Sequence, residues 1–287
     1  MKAAAAGLEV RRTAGALSAE IRDVDLSQPL SDQGVADIRR ALLDHLVIFF
    51  LNQHLTPAQL VAFGRRFGDL EGHEFVLGMP DHPEVLELIK EPDEGGFNFG
   101  GDWHTDVTFR ERPSMGTILY GKEIPPFGGD TLWANQYLAY DTLSPGLQRL
   151  LGSLRAVHSA EEAFGAGGIA QLYRSQLRSM RIKTDGSVPE AVEHPVIRTH
   201  PETGRKCLFV NRGFTVRFAD MTGAESEGLL QYLFEHSVRP EFTCRFRWSE
   251  GSVAFWDNRC TQHFALNDYH GHRRHMQRIT VAGERPA

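Results

Sequence analysis

Cysteine is scarce in this chain. Its 287 residues carry three, Cys207, Cys244 and Cys260. None forms a Cys-x-x-Cys pair, which argues against a zinc-thiolate centre and suits a reducing cytoplasm. A basic tract is also missing, and the net charge is −6, so nucleic acid is not an expected partner. No apolar run reaches membrane-spanning length, and no membrane partner is expected. The opening, Met1-Lys2 followed by alanines to Ala6, lacks the long apolar core of a secretory signal. Repeats, low-complexity blocks and long polar linkers are absent too. What remains is a cytoplasmic chain read as one domain over residues 1–287, apolar enough at 41% to bury a sizeable core.

The pattern along the chain is strand-rich. Residues 8–25 read as extended, with Val10, Ile21 and Val24 as core candidates. Ser31 caps a helix running through Ile38, Leu42 and Leu43 to about His45. Leu46 to Leu51 is short, β-branched and aromatic, the composition of a buried strand. Thr56-Pro57 starts a helix that carries Leu60, Phe63 and Phe67 to Gly68. Further strands are expected at 85–89, 115–120, 130–133, 196–199, 206–210, 243–248, 252–256 and 273–281. Helices are expected over about 140–151, starting near Asp141 or Ser144-Pro145, and from the Thr222–Glu225 capping box through Phe234. Two glycine-rich or irregular stretches, about 69–101 and 159–193, read either as lids or as ordinary surface loops. Strands inside with helices outside suggest a double-sheet jelly roll.

The stretch with the most chemistry is Gly101-Asp102-Trp103-His104-Thr105-Asp106-Val107-Thr108-Phe109. On an extended backbone His104 and Asp106 would share one face. One imidazole beside one carboxylate is two thirds of a 2-His-1-carboxylate triad, the site that holds non-haem Fe(II) with positions left open. Two other His-x-acid triplets, His82-Pro-Glu84 and His200-Pro-Glu202, carry a central proline and read as solvated turns. The third ligand must be a distant histidine. His263, just beyond the strand 253–256 and a short turn, is the first choice, with His73, His158 and His194 as rivals. Near the C-terminus Arg274, Met276 and Arg278 share one strand face. The two guanidiniums either face solvent or each grip a carboxylate or similar oxyanion.

Together these residues resemble the Fe(II)- and 2-oxoglutarate-dependent dioxygenases that include taurine dioxygenase and the aryloxyalkanoate dioxygenases. The likeness runs from the 47–50 strand through Phe63-Gly64-Arg65-Arg66-Phe67-Gly68, Trp103-His104-Thr105-Asp106, Gly128-Gly129-Asp130-Thr131 and Trp256-Asp257-Asn258 to Arg278. It implies a double-stranded β-helix, mostly β with flanking helices. It implies His104, Asp106 and His263 as ligands of Fe(II), and Thr131 and Arg274 as the grip on the distal carboxylate of 2-oxoglutarate. It implies consumption of O2, release of succinate and CO2, and hydroxylation of a small organic anion. His73, Val107, Phe164, Phe214 and Arg278 match pocket positions, with His73 and Arg278 on the anionic head. Val76, Phe99, Gly100 and Ala163 stand where taurine enzymes carry polar groups. An alkyl sulfonate, alkyl sulfate or aryloxyalkanoate is therefore expected over taurine. The family also implies a homodimer or homotetramer. Two other classes stay open: a metal-binding protein of this fold without oxygenase activity, and a metal-dependent isomerase or hydrolase on a cupin-like barrel.

Overall fold

The computed structural model describes residues 8–94, 99–173, 178–182 and 187–287. Its largest sheet is built around β3 (Val47–Phe50), whose four residues are all buried. β3 lies between β2 (Ala19–Arg22) and β14 (Val253–Asp257); beyond β14 come β6 (Gly116–Glu123) and β16 (Arg274–Val281). β1 (Glu9–Arg12) closes one edge, and β4 (Leu70–Glu71) and β5 (Leu86–Lys90) both pair with β16 at the other. Every pair is antiparallel except β2 with β3.

Strand alternation gives this sheet two apolar faces. Ile48, Phe50, Ile118, Tyr120, Val253, Phe255 and Ile279 pack with Ile38 and Leu42 of α1 (Asp32–His45) and with Leu60 and Phe63 of α2 (Pro57–Gly64). The opposite face, with Val47, Phe49, Leu119, Ala254, Trp256 and Met276, packs with Trp133 and Cys244. Those two belong to a smaller sheet of β13 (Thr243–Phe246), β7 (Thr131–Asn135) and β15 (Thr261–Ala265). The space between the two sheets holds the functional side chains. Met276 lies there, so Arg274 and Arg278, on the same strand face, point inward rather than to solvent; they are 8% and 5% exposed.

Two further small sheets join this layer: β12 (Thr215–Phe218) with β8 (Arg155–His158) and β9 (Val192–Pro195), and β10 (Ile197–Thr199) with β11 (Lys206–Leu208). They pack with α3 (Gln136–Asp141), α4 (Pro145–Leu151) and α7 (Gly223–Ser237). The expected capping box opens α7, with Thr222 accepting from Glu225 N–H and the Glu225 carboxylate reaching back to the cap.

Several expectations need correction. Val10 is 40% exposed, because β1 is an edge strand with all four residues open. The second helix stops at Gly64 rather than Gly68. The helix expected to end at 151 begins at Ser144-Pro145, the second of its two expected starts, and a separate short helix capped by Asn135, which was not expected, precedes it. Residues 159–193 are not wholly irregular: they contain α5 (Glu161–Phe164) and α6 (Ile169–Leu172). Gly95 and Gly96, part of the first loop, lie outside the described residues. All three cysteines are free and buried, and burial pushes Cys207 and Cys244 up to about 12, so they sit as inert thiols.

Candidate active site

His104, Asp106 and His263 converge, but not by the expected route. Gly101–Phe109 is not a strand. His104 makes one isolated antiparallel bridge to His263, with each backbone N–H donating to the other's carbonyl (3.1 and 2.8 Å). The chain then turns sharply: Arg110 N–H donates back to Val107 C=O, and Val107 holds a left-handed φ of 46°. A β-branched residue there costs about 1–3 kcal/mol, strain that concentrates at functional sites. The turn, not strand alternation, aims Asp106. Thr105 pins its start by donating to Thr261 C=O at 2.8 Å.

Asp106 Oδ1 stands 3.7 Å from His104 Nε2 and 3.6 Å from His263 Nε2, too far for hydrogen bonds and open between three donors. His104 Nδ1 donates to Asp102 C=O at 2.8 Å, which leaves the Nε2 lone pair facing inward. Burial opposes charge on Asp106, yet the Arg278 guanidinium, with the Thr117 hydroxyl, holds its carboxyl well below the usual range. Burial, then His104, keeps His263 well below the ordinary histidine range, so it is neutral. An ionised carboxylate beside two imidazoles suits a divalent transition metal. His263 is the middle residue of β15, not a residue at the sheet mouth as its sequence position suggested.

The other histidines have different work. His73 lies in the neighbouring cleft described below. His200 is not a solvated turn residue. Its Nδ1 accepts from Glu202 and Thr203 N–H, so Nε2 carries the proton and donates to Asp257 at 3.1 Å. Asp257 also takes Arg259 through both oxygens (2.9 and 2.7 Å), and Arg259 reaches Glu202 at 2.7 Å. This cluster includes Cys260 and has metal-like spacing, but its donors are spent on one another; it braces the turn between β14 and β15.

His158 and His194 form a buried pair, ring centroids 5.1 Å apart, near Thr108. Burial lowers both, His194 to about 4. Each is neutral when folded and gains a proton more readily when unfolded. The unfolded chain therefore binds more protons below about pH 6.5, and stability falls as pH drops from there towards 4. Between pH 6.5 and 5, above the usual carboxylate range, we expect urea-unfolding stability to fall by up to about 1.4 kcal/mol per pH unit for each histidine. His194→Gln should flatten that slope, and an unchanged slope would contradict this account.

Thr131 and Arg274 both line a narrow cavity of about 70 Å³ that also touches His104, His263, Tyr269 and Arg278. The Gly128-Gly129 turn allows this. Both glycines hold positive φ (72° and 68°), and a Cβ on Gly129 would meet the Arg274 side chain at 3.2 Å. Arg274 donates to Gly129 C=O at 3.2 Å, while its Nε has no partner among the described residues. Burial pulls this guanidinium below its ordinary value, against the opposing pull of Tyr269 and Asp130. Trp248 donates to Thr131 Oγ1 at 3.0 Å, so the threonine proton is directed elsewhere.

A wider cleft of about 850 Å³ opens on the other side of His104 and Asp106. His73, Val107, Phe164, Phe214 and Arg278 all line it. His73 Nδ1 accepts from Phe75 N–H, which places the ring proton on Nε2. Much of the remaining wall is apolar, with Phe99, Ala163, Ile169, Ala170 and Leu172. Sequence reasoning missed one link: Arg278 donates a 2.9 Å ion pair to Asp106 Oδ2, so the expected anion grip also holds a metal-type ligand. It also missed Thr117 and Asn258. Asn258 stood inside the Trp256-Asp257-Asn258 match, whereas Thr117 carried no sequence signal.

A buried carboxylate flanked by two imidazoles, with a separate cation-and-hydroxyl pocket at its side, defines a non-haem metal oxygenase that takes a dicarboxylate. Residues 9–280 match the model of the taurine catabolism dioxygenase TauD, TfdA family. The chain is 38% identical to an alkylsulfatase of Acinetobacter baylyi, over 96% of this chain and 86% of that one. It is equally 38% identical to an alpha-ketoglutarate-dependent sulfate ester dioxygenase of Pseudomonas putida, over 97% of this chain and 91% of that one. The crystal structure of a taurine dioxygenase from Burkholderia xenovorans superposes with a TM-score of 0.81 at 38% identity, covering 98% of this chain and 91% of that one. The chain belongs to the TauD/TfdA family and is a 2-oxoglutarate-dependent dioxygenase, an enzyme class that uses Fe(II) and O2. Among the described residues no helix is long and apolar enough to cross a membrane.

Proposed function

We propose that this enzyme oxidises a sulfate ester with an apolar alkyl tail, releasing sulfate. His104, Asp106 and His263 hold the Fe(II), and Thr131 and Arg274 hold the distal carboxylate of 2-oxoglutarate. The two-sheet body is then a single double-stranded β-helix domain. When bound, Fe(II) supplies the coupling of 2-oxoglutarate decarboxylation by O2 to hydroxylation of a substrate C–H bond. The chain's own residues choose which bond. Arg278 and the His73 Nε2 proton take the anionic head. Because Arg278 is paired to Asp106, the carbon bearing that head is held beside His104 and Asp106. Phe99, Phe164 and Phe214 exclude water around the tail. A hydroxyl added to the ester-bearing carbon gives a hemiacetal sulfate. Its C–O bond breaks to yield an aldehyde and hydrogen sulfate, with no further oxidant needed.

The observation carrying this reading is the joining of an arginine at the metal-type cluster to an apolar cleft. A taurine ammonium placed against Phe99, Ala163, Ile169 and Leu172 would lose hydration that those side chains cannot replace. The sulfate-ester specificities of the two bacterial relatives point the same way. The test measures succinate and sulfate formed from hexyl sulfate, hexanesulfonate, taurine and a phenoxypropionate. At about 0.8 kcal/mol for each of several buried methylenes, kcat/KM for hexyl sulfate should exceed that for taurine by about 100-fold. Preference for taurine would overturn the tail assignment, and preference for the phenoxypropionate would overturn the sulfate head.

A further inference from the structure

We propose that Trp256, Asn258 and Thr117 form a one-directional hydrogen-bond chain that positions Asp106, so that one carboxylate oxygen is kept for the protein and the other for the metal. This rests on the reading of His104, Asp106 and His263 as the metal ligands.

The direction follows from what each group can do. An indole N–H only donates. Trp256 Nε1 donates to Asn258 Oδ1 at 2.9 Å, which fixes the amide with its nitrogen on the other side. That nitrogen donates to Thr117 Oγ1 at 2.9 Å. The threonine hydroxyl, now accepting, sends its one proton onward to Asp106 Oδ2 at 2.7 Å. The Arg278 guanidinium forms an ion pair with the same oxygen at 2.9 Å. Oδ2 is thus taken by a hydroxyl donor and a cation, and Oδ1 is the atom that faces both histidines.

The side chains of the chain are screened from bulk solvent. Thr117 is fully buried, Trp256 and Asn258 are 1% exposed and Asp106 3%. A chain of bonds in such surroundings polarises its members and is costly to leave half made. Its parts come from three elements. Trp256 is the last but one residue of β14, Asn258 sits in the braced turn leading to β15, and Thr117 lies on β6 opposite Trp256. Asn258 N–H is itself anchored on Met115 C=O at 2.9 Å. The turn that launches His263 therefore also orients Asp106, and the two ligands are set by one piece of backbone. Thr117 and Asn258 are positioning residues, since neither lies at the ligand atoms.

The test is Mn(II) affinity of the purified protein, followed by the EPR signal of free Mn(II), beside a thermal melt of each metal-free variant. Thr117→Val keeps the shape and removes the hydroxyl; affinity should fall about 10–100-fold, the usual loss for an outer-shell partner. Thr117→Ser should restore it to within about threefold. Asn258→Ala should weaken affinity as well. The double variant should be no worse than the poorer single one, because a chain broken once is broken. Affinity within about threefold of wild type in Thr117→Val would overturn the proposal. So would additive losses in the double variant. If Thr117→Val does not fold, Asn258→Ala decides by the same threshold. Failure of the wild-type protein to bind Mn(II) would instead remove the metal reading on which the chain depends.

Discussion

Asp106→Asn should lower kcat/KM by about 1,000-fold or more, a loss of about 4 kcal/mol, while leaving the fold in place. The structure says which way the new amide will face. Thr117 donates to Oδ2 and the Arg278 cation pairs with it, so the amide oxygen must sit there. The NH2 then points at His104 and His263, where a ligand lone pair is needed. Asparagine is therefore disabled by orientation as well as by charge. Asp106→Ala should also abolish turnover, and it should melt lower. Arg278 would lose its partner and stay buried, a situation that destabilises by about 3–5 kcal/mol. Thermal melts and Mn(II) titration of both variants separate the two effects. Full activity in either variant would refute the ligand assignment.

Arg274→Ala and Arg278→Ala should part company. Losing Arg274 removes a charge-assisted grip worth about 1.5–3 kcal/mol, so KM for 2-oxoglutarate should rise about 10–100-fold with the substrate KM unchanged. Losing Arg278 should spare 2-oxoglutarate and raise the substrate KM. Because Arg278 also holds Asp106, kcat should fall in that variant too. Steady-state kinetics with each substrate varied in turn reads both. If Arg278→Ala raised KM for 2-oxoglutarate instead, the roles of the two arginines would be exchanged. Lysine at position 274 should not rescue fully, since a point charge cannot reproduce the planar fork.

Much of the scaffold was legible because it follows from local periodicity. β3 reads as a buried strand from its β-branched and aromatic run, and α1, α2 and α7 announce their starts through Ser31, Thr56 and Thr222. Two of the errors fall where non-local bonds override a local pattern. Val10 looked like core, but only the pairing of strands reveals an edge. Pro201 and Glu202 form the expected exposed turn, but His200 beside them is buried against Asp257, 57 residues along the chain.

The sequence by itself determined the chemistry on offer. It held a histidine and a carboxylate in one short run, a distant histidine, a threonine after two glycines, and two arginines on one strand face. Side-chain chemistry and strand parity are local properties, and they survive without coordinates. Only the tertiary structure decided how those groups are used. A left-handed turn at Val107, not a strand, aims Asp106. The packing of two sheets buries Arg274 and Arg278, which periodicity had left open between solvent and core. The choice of His263 over His158 and His194 came from the single bridge between β15 and His104. The division of the Asp106 oxygens came from hydrogen bonds arriving from β14, β6 and β16. Each of these joins residues far apart in the chain, and such contacts exist only once the sheets have closed on one another.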